Sequence, residues 1–253
     1  MKIMAIAANT FKEAIRDRIL YLLLAFAILM IGASRLLSLM TVGSEEKIVK
    51  DIGLASIALF GVAVAIFVGV GLVFKEIEKR TVYTLVSKPI RRSQFILGKY
   101  CGLVLVLAVN LAVMTAVFYL VLIQRGWMDW RLTGAIWLTF IELMLVTAIA
   151  ILFSSFSTPI LSSLFTVTFF IIGHLSWGLR LMADKVEGVA AKFLCEFFYR
   201  VLPNLELLNM RGRAVHGLEL PESQMAFATL YGLSYTAVLL ALAVATFRRR
   251  DFL

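Results

Sequence analysis

Long apolar runs separated by short charged segments fill most of the chain. Six runs, at 19–40, 52–74, 100–123, 132–153, 159–179 and 225–247, are continuous and bounded by charges, Trp or turn residues. A hydrocarbon core about 30 Å thick takes about 20 residues of a helix rising about 1.5 Å each, so every run is long enough to cross it. None alternates with the two-residue period of a membrane barrel strand, so the backbone must satisfy its own hydrogen bonds as helix. The pattern predicts an all-α integral membrane protein of six transmembrane helices.

Two further stretches carry a helical rather than a uniformly apolar pattern. In MKIMAIAANTFKEAIRDR, Met4, Ala7, Ala8, Phe11, Ala14 and Ile15 fall on one side, with Lys2, Asn9, Lys12, Glu13 and Arg16 mainly on the other. Residues 1–18 are therefore expected as an amphipathic helix lying in the interface and turning into the first span; an unstructured polar leader is the alternative. The first run starts too late, and is too long, for the 7–15-residue core of a signal peptide. In the segment 180–224, Ala190, Phe193, Leu194, Phe197, Phe198 and Val201 follow helical spacing until Pro203, which predicts a short helix too charged to span.

Composition agrees: 61% of residues are hydrophobic and 16% charged, with mean hydropathy +0.94, against about 45–50% apolar and about 25% charged in soluble domains. The formal charge of +9 then reads as a topology signal. Lys and Arg number 4 in 1–18, 7 in 75–99 and 3 in 248–253. Segments 41–51, 124–131 and 180–224 carry 2, 2 and 6, the last being long. Placing the richer segments inside puts both termini in the cytoplasm and Trp127 and Trp130 at the outer interface. No nucleic-acid partner is implied.

Little in the spans suggests chemistry. Cys101 and Cys195 fall on opposite sides of the bilayer on this topology, so they cannot pair, and His174, His216 and the ten Met are too scattered to predict a metal site. No His-Glu-x-x-His, phosphate-loop or Gly-x-Ser-Gly pattern occurs, so no catalytic residues are expected and ATP has no motif to bind. Arg35 and His174 lie near the outer ends of their spans. Glu142 lies near mid-depth, where a carboxyl must be protonated, paired with a group such as Arg35 or His174, or facing a wet pathway. Gly61, Ala65 and Gly69 repeat every fourth residue on the second run, the small-residue spacing of close helix contacts, within a protomer or between two.

The remaining feature is the polar segment 75–99, KEIEKRTVYTLVSKPIRRSQFILGK. Thr81 can cap a short helix that Pro89 ends, and Val82, Leu85 and Val86 form an apolar stripe between charged flanks. By physics alone such a stripe meets a partner protein or anionic lipid. The order Glu76, Glu78, Thr81, Leu85, Pro89, Arg92, followed by Gly98 and Lys99 at the next span, resembles the cytoplasmic loop of type-2 ABC transporter permeases, most like those linked to multicopper-enzyme maturation. The departure is Arg80, where members commonly have Gly.

This resemblance implies a permease domain over 19–253 behind an elbow helix at 1–18, in a bacterial-type cytoplasmic (inner) membrane and of exporter type. It implies a second permease copy and separate ATP-binding subunits, which carry the ATP and Mg; this chain binds no cofactor and is no enzyme. Segment 75–99 becomes the coupling loop: Val82, Leu85 and Val86 fill a cleft of the ATP-binding subunit, while Glu76, Glu78, Arg91 and Arg92 orient the loop. The competing class is a stand-alone six-span carrier or an intramembrane enzyme. A carrier of that kind often shows internal repeat symmetry, and none is evident here.

Overall fold

The protein was described from a computed structural model, which covers residues 2–38, 44–78, 91–185 and 202–249, with Lys192, Glu196 and Tyr199 between the last two stretches. Among the described residues every regular element is helical. The helices are α1 (Lys2–Ile15), α2 (Arg18–Ser38), α3 (Glu45–Glu78), α4 (Arg92–Ile123), α5 (Arg131–Ser154), α6 (Pro159–Lys185), α7 (Arg211–Val215) and α8 (Glu222–Arg249), with a 3-10 turn at Leu205–Leu208. Five described stretches are long and apolar enough to cross a membrane: Glu45–Gly71, Arg92–Ile123, Arg131–Ser154, Pro159–Ser176 and Glu222–Phe247. The expected first span corresponds to α2, whose apolar described stretch, Arg18–Ser34, is shorter than these five.

The axis of the bundle is α5, which packs against α3, α4, α6, α7, α8 and the 3-10 turn. Its sequence explains why: it is apolar nearly all round, and residues from Ile141 through Ile151 are buried on every face. Its hydroxyls do not disturb this, because Thr139 and Thr147 donate to the carbonyls of Ala135 and Leu143 one turn back. Close approach comes from small residues: Phe118 lies over Gly53, Leu143 over Gly61 and Ile141 over Gly232.

Helix boundaries depart from the hydropathy runs where polar residues remain helical. The third run begins at Tyr100, yet α4 begins at Arg92, so Arg92, Gly98 and Lys99 belong to a helix and not to a loop. Likewise α3 continues to Glu78, with Glu76 and Glu78 on its last turn. Hydropathy marks where lipid begins; the helix runs on because Phe95 and Ile96 bury an apolar face against the rest of the protein.

The chain after α6 re-enters the bundle. A methyl at Gly173 would lie 2.7 Å from Leu205 Cγ, and one at Gly232 would meet both Ile141 and Leu208. Ile141 is ten residues into α5, about 15 Å below Arg131 at about 1.5 Å per residue, so the turn reaches mid-bundle. Gly217 is back at the surface, its carbonyl accepting from Arg131 Nη1 at 2.7 Å. Irregular backbone at such depth is tolerated because protein surrounds it. Leu205, Leu208 and Ala214 are all fully buried. Of the helix expected over 190–201, Lys192, Glu196 and Tyr199 are described, each in helical conformation, and the rest lie outside the described residues.

Candidate functional site

Two places gather the polar residues that an apolar bundle would otherwise exclude. The first is the end where α1, the start of α4 and the end of α8 meet. Thr81, Val82, Leu85, Val86 and Pro89 lie outside the described residues, but the helices leading into and out of that segment are described. At the start of α4 the Arg91 N–H donates to Gln94 Oε1 at 3.2 Å, and Arg92 Nη1 donates to the Phe247 carbonyl at 3.1 Å. Phe95 stacks on Phe247 with centroids 5.8 Å apart and rings within 16°. Arg92 thus caps a carbonyl near the end of α8, where a cation also suits the helix dipole.

One turn on, α4 carries Gly98 and Gly102, and α1 lies across them. A methyl at Gly98 would sit 2.7 Å from Ile6 Cβ, and one at Gly102 2.6 Å from Thr10 Cβ. Between them Lys99 is 1% exposed and pairs with Glu13 of α1, Nζ to Oε2 3.7 Å. The buried face of α1 is accordingly Ala7, Thr10 and Ala14; of the expected apolar stripe Ala7 and Ala14 are buried and Phe11 and Ile15 half-buried, while Met4 and Ala8 are exposed. Met4 is 77% exposed. Small residues win this face because the glycine groove admits no longer ones, and Thr10 satisfies its hydroxyl on the Ile6 carbonyl at 2.9 Å.

The second place is at mid-depth. Glu142 is 1% exposed, and its Oε1 lies 3.3 Å from Nε2 of His174 on α6. His174 Nδ1 lies 3.2 Å from the Phe170 carbonyl, and the Phe170 ring packs against the imidazole. Below this pair the re-entrant segment presents a polar chain of its own. Arg211 Nε donates to Asn209 Oδ1 at 2.9 Å, and Asn209 Nδ2 donates to Glu206 Oε2 at 3.2 Å.

Of the remaining sequence candidates, Gly61, Ala65 and Gly69 lie inside the protomer. Gly61 faces Leu143 and Gly69 faces Ala150, so the contact they make here is with α5. The side chain of Arg35 is outside the described set. Cys101 is exposed with a free thiol. Among the described residues no group of three or more His, Cys, Asp or Glu could hold a metal ion.

Sequence reasoning missed Asn110, 4% exposed on α4 with neither side-chain polar atom hydrogen-bonded. It also missed the clamp at the other end of the bundle, in which Lys50 of α3 pairs with Glu46 at 2.7 Å and Asp129 at 3.3 Å. A polar residue inside an apolar run was the available signal for Asn110. The Glu46–Lys50 half of the clamp had the i, i+4 spacing as its signal; the Asp129 half had none, because it is 79 residues away.

No curated protein matches the sequence. Residues 4–252, nearly the whole chain, match the family described as ABC-2 family transporter protein. Coverage of that extent, on a helical bundle with five helices able to cross a membrane, leads to one conclusion: the chain belongs to the ABC-2 family of transporter membrane proteins.

Proposed function

We propose that this chain is the permease subunit of an ATP-driven transporter of exporter type, with ATP and Mg held on a separate ATP-binding subunit that docks on the segment 75–99, around residues 81–89. The observation that carries the reading is family membership over 4–252. Geometry adds a reason why docking would matter: the residues leaving the docking segment are fastened to their neighbours. Arg92 holds the end of α8, and Gly98, Lys99 and Gly102 hold α1. A push on the segment is then delivered to α1, α4 and α8 together, and from α4 and α8 to the central α5, in the manner of a rigid-body switch.

In this reading α2 is a sixth span, both termini are cytoplasmic, and Glu76, Glu78, Arg91 and Arg92 flank the docking stripe of Val82, Leu85 and Val86. The unit works in the bacterial inner membrane as a pair of permease copies beside lipid, and its cargo serves the maturation of a multicopper enzyme. Cells lacking this protein should then accumulate that enzyme without its copper.

The docking itself is tested by the double substitution Leu85→Asp, Val86→Asp. Two carboxylates buried in an apolar cleft without partners are strongly unfavourable. The variant should insert at wild-type levels yet lose co-purification of the ATP-binding subunit. Undiminished co-purification would count against the assignment of residues 81–89.

A further inference from the structure

The Glu142–His174 pair has a property that neither family membership nor ATP coupling requires. The Phe170 carbonyl 3.2 Å from His174 Nδ1 can only accept, so Nδ1 carries a hydrogen. A neutral imidazole then has a bare lone pair on Nε2, and that nitrogen faces Glu142 Oε1 at 3.3 Å. Two lone pairs cannot bind each other. The contact is attractive only when one hydrogen lies between them, carried either by the carboxyl or by the imidazolium. Glu142 Oε1 and His174 Nε2 are both buried without a hydrogen-bond partner, and a single proton brought between them would satisfy both.

The surroundings provide a route and a response. Glu142 Oε2, Ser176 Oγ on α6 and Asn204 Oδ1 at the mouth of the re-entrant turn are all buried without a hydrogen-bond partner. Polar groups in that condition hold water. Asn204 is itself fixed, its N–H donating to Tyr231 Oη at 2.8 Å. The charged groups bearing on the pair come from the re-entrant segment, Glu206 and Arg211. We propose that Glu142 and His174 form a binding site for one proton, reached from the Trp130 end along the re-entrant segment, whose occupancy sets how firmly the Leu205–Leu208 turn is seated.

The balance is a simple proton transfer. On release, the hydrogen between Oε1 and Nε2 passes through water to the Glu206 carboxylate and on to bulk solvent, leaving Glu142 anionic beside neutral His174. The new negative charge competes with Asn209 for Arg211, whose guanidinium is held by a single hydrogen bond at 2.9 Å. Arg211 swings towards Glu142 and the turn that carries Asn209 loosens. On rebinding, Arg211 returns and the turn is locked. This is independent of the ATP-driven reading and would hold for a permease of any energy source.

The test exploits the presence of only two histidines in the chain. The full-length protein carrying His216→Asn, with isotope-labelled histidine, is placed in lipid nanodiscs and the His174 ring nitrogens are followed by NMR against pH. The expected result is Nδ1 protonated throughout, Nε2 hydrogen-bonded, and one titration step. In Glu142→Gln the side-chain amide donates to Nε2 without an exchangeable charge, so that step is lost; in Arg211→Gln it survives at a displaced pH. With the native cysteines replaced, thiol labelling at Leu207→Cys should rise across the same step and become flat in the Glu142→Gln background. An unchanged His174 titration in Glu142→Gln overturns the proposal. So does a wild-type spectrum with Nδ1 as the bare nitrogen, a result that stands even if the variant fails to assemble.

Discussion

Gly98 and Lys99 stand in the sequence as the tail of a motif, with no sign of what they touch. Folded, they seat a helix some ninety residues earlier in the chain. The glycine leaves room for Ile6 and the lysine, 1% exposed, pairs with Glu13. Their identity was legible and their role was not, because a contact of that sequence separation leaves no local pattern. Glu142 was more transparent: a carboxyl at mid-depth must find a partner, and His174 was one of two candidates the sequence offered. The glycine seat makes a sharp contrast possible. Gly102→Leu drives a side chain into Thr10 and should lower stability by about 1–3 kcal/mol, the usual range for overpacking. Gly32→Ala, where nothing lies within 4 Å, should be neutral or slightly stabilising through helix propensity. Unfolding midpoints in detergent check both, and equal midpoints for the two variants would remove the argument for a tight α1 seat.

At the scale of elements, the apolar runs located five membrane-length helices to within a few residues of their lipid-facing parts. They mislocated helix ends wherever packing continued past the hydrocarbon, as at Arg92 and Glu78. The re-entrant turn at Leu205–Leu208 was invisible, because its four residues are too few for a period and its burial depends on Gly173 and Gly232. The opposite end of the bundle is held by a different device, the pairing of Lys50 with Asp129 across the α3 start and the α4–α5 connection. Burial pushes the Asp129 carboxyl up, but the Arg131 N–H and the Lys50 ammonium outweigh it and hold the carboxyl below its ordinary value. A carboxylate so held adds stability that is present above its unfolded value of about 3.9 and is lost as pH falls through its lower folded value. Acid titration of stability should therefore show a loss in this low range that Lys50→Met diminishes. Identical acid profiles for wild type and variant would mean the clamp contributes nothing.

The whole molecule places its two polar assemblies at different depths for different work. One end gathers α1, the first turns of α4 and the end of α8 around the residues that flank 81–89, where a partner's movement can enter. Mid-bundle, the central α5 carries Glu142 next to a turn that descends from the other end. The helix α5 links the two because it touches α4 and α8 as well as the turn. The all-helical membrane class was legible from hydropathy alone, since lipid imposes the length of every crossing element. The family was legible in a short polar motif, residues 76–99, whose central residues lie outside the described set. A single cysteine at position 85, in the full-length protein with Cys101 and Cys195 replaced by Ser, tests docking there most directly. Crosslinking in native membranes should join Leu85→Cys to an ATP-binding subunit, with yield changing on addition of ATP. A thiol at that position that reacts only with lipid-soluble reagents, and never with a second polypeptide, would contradict the account.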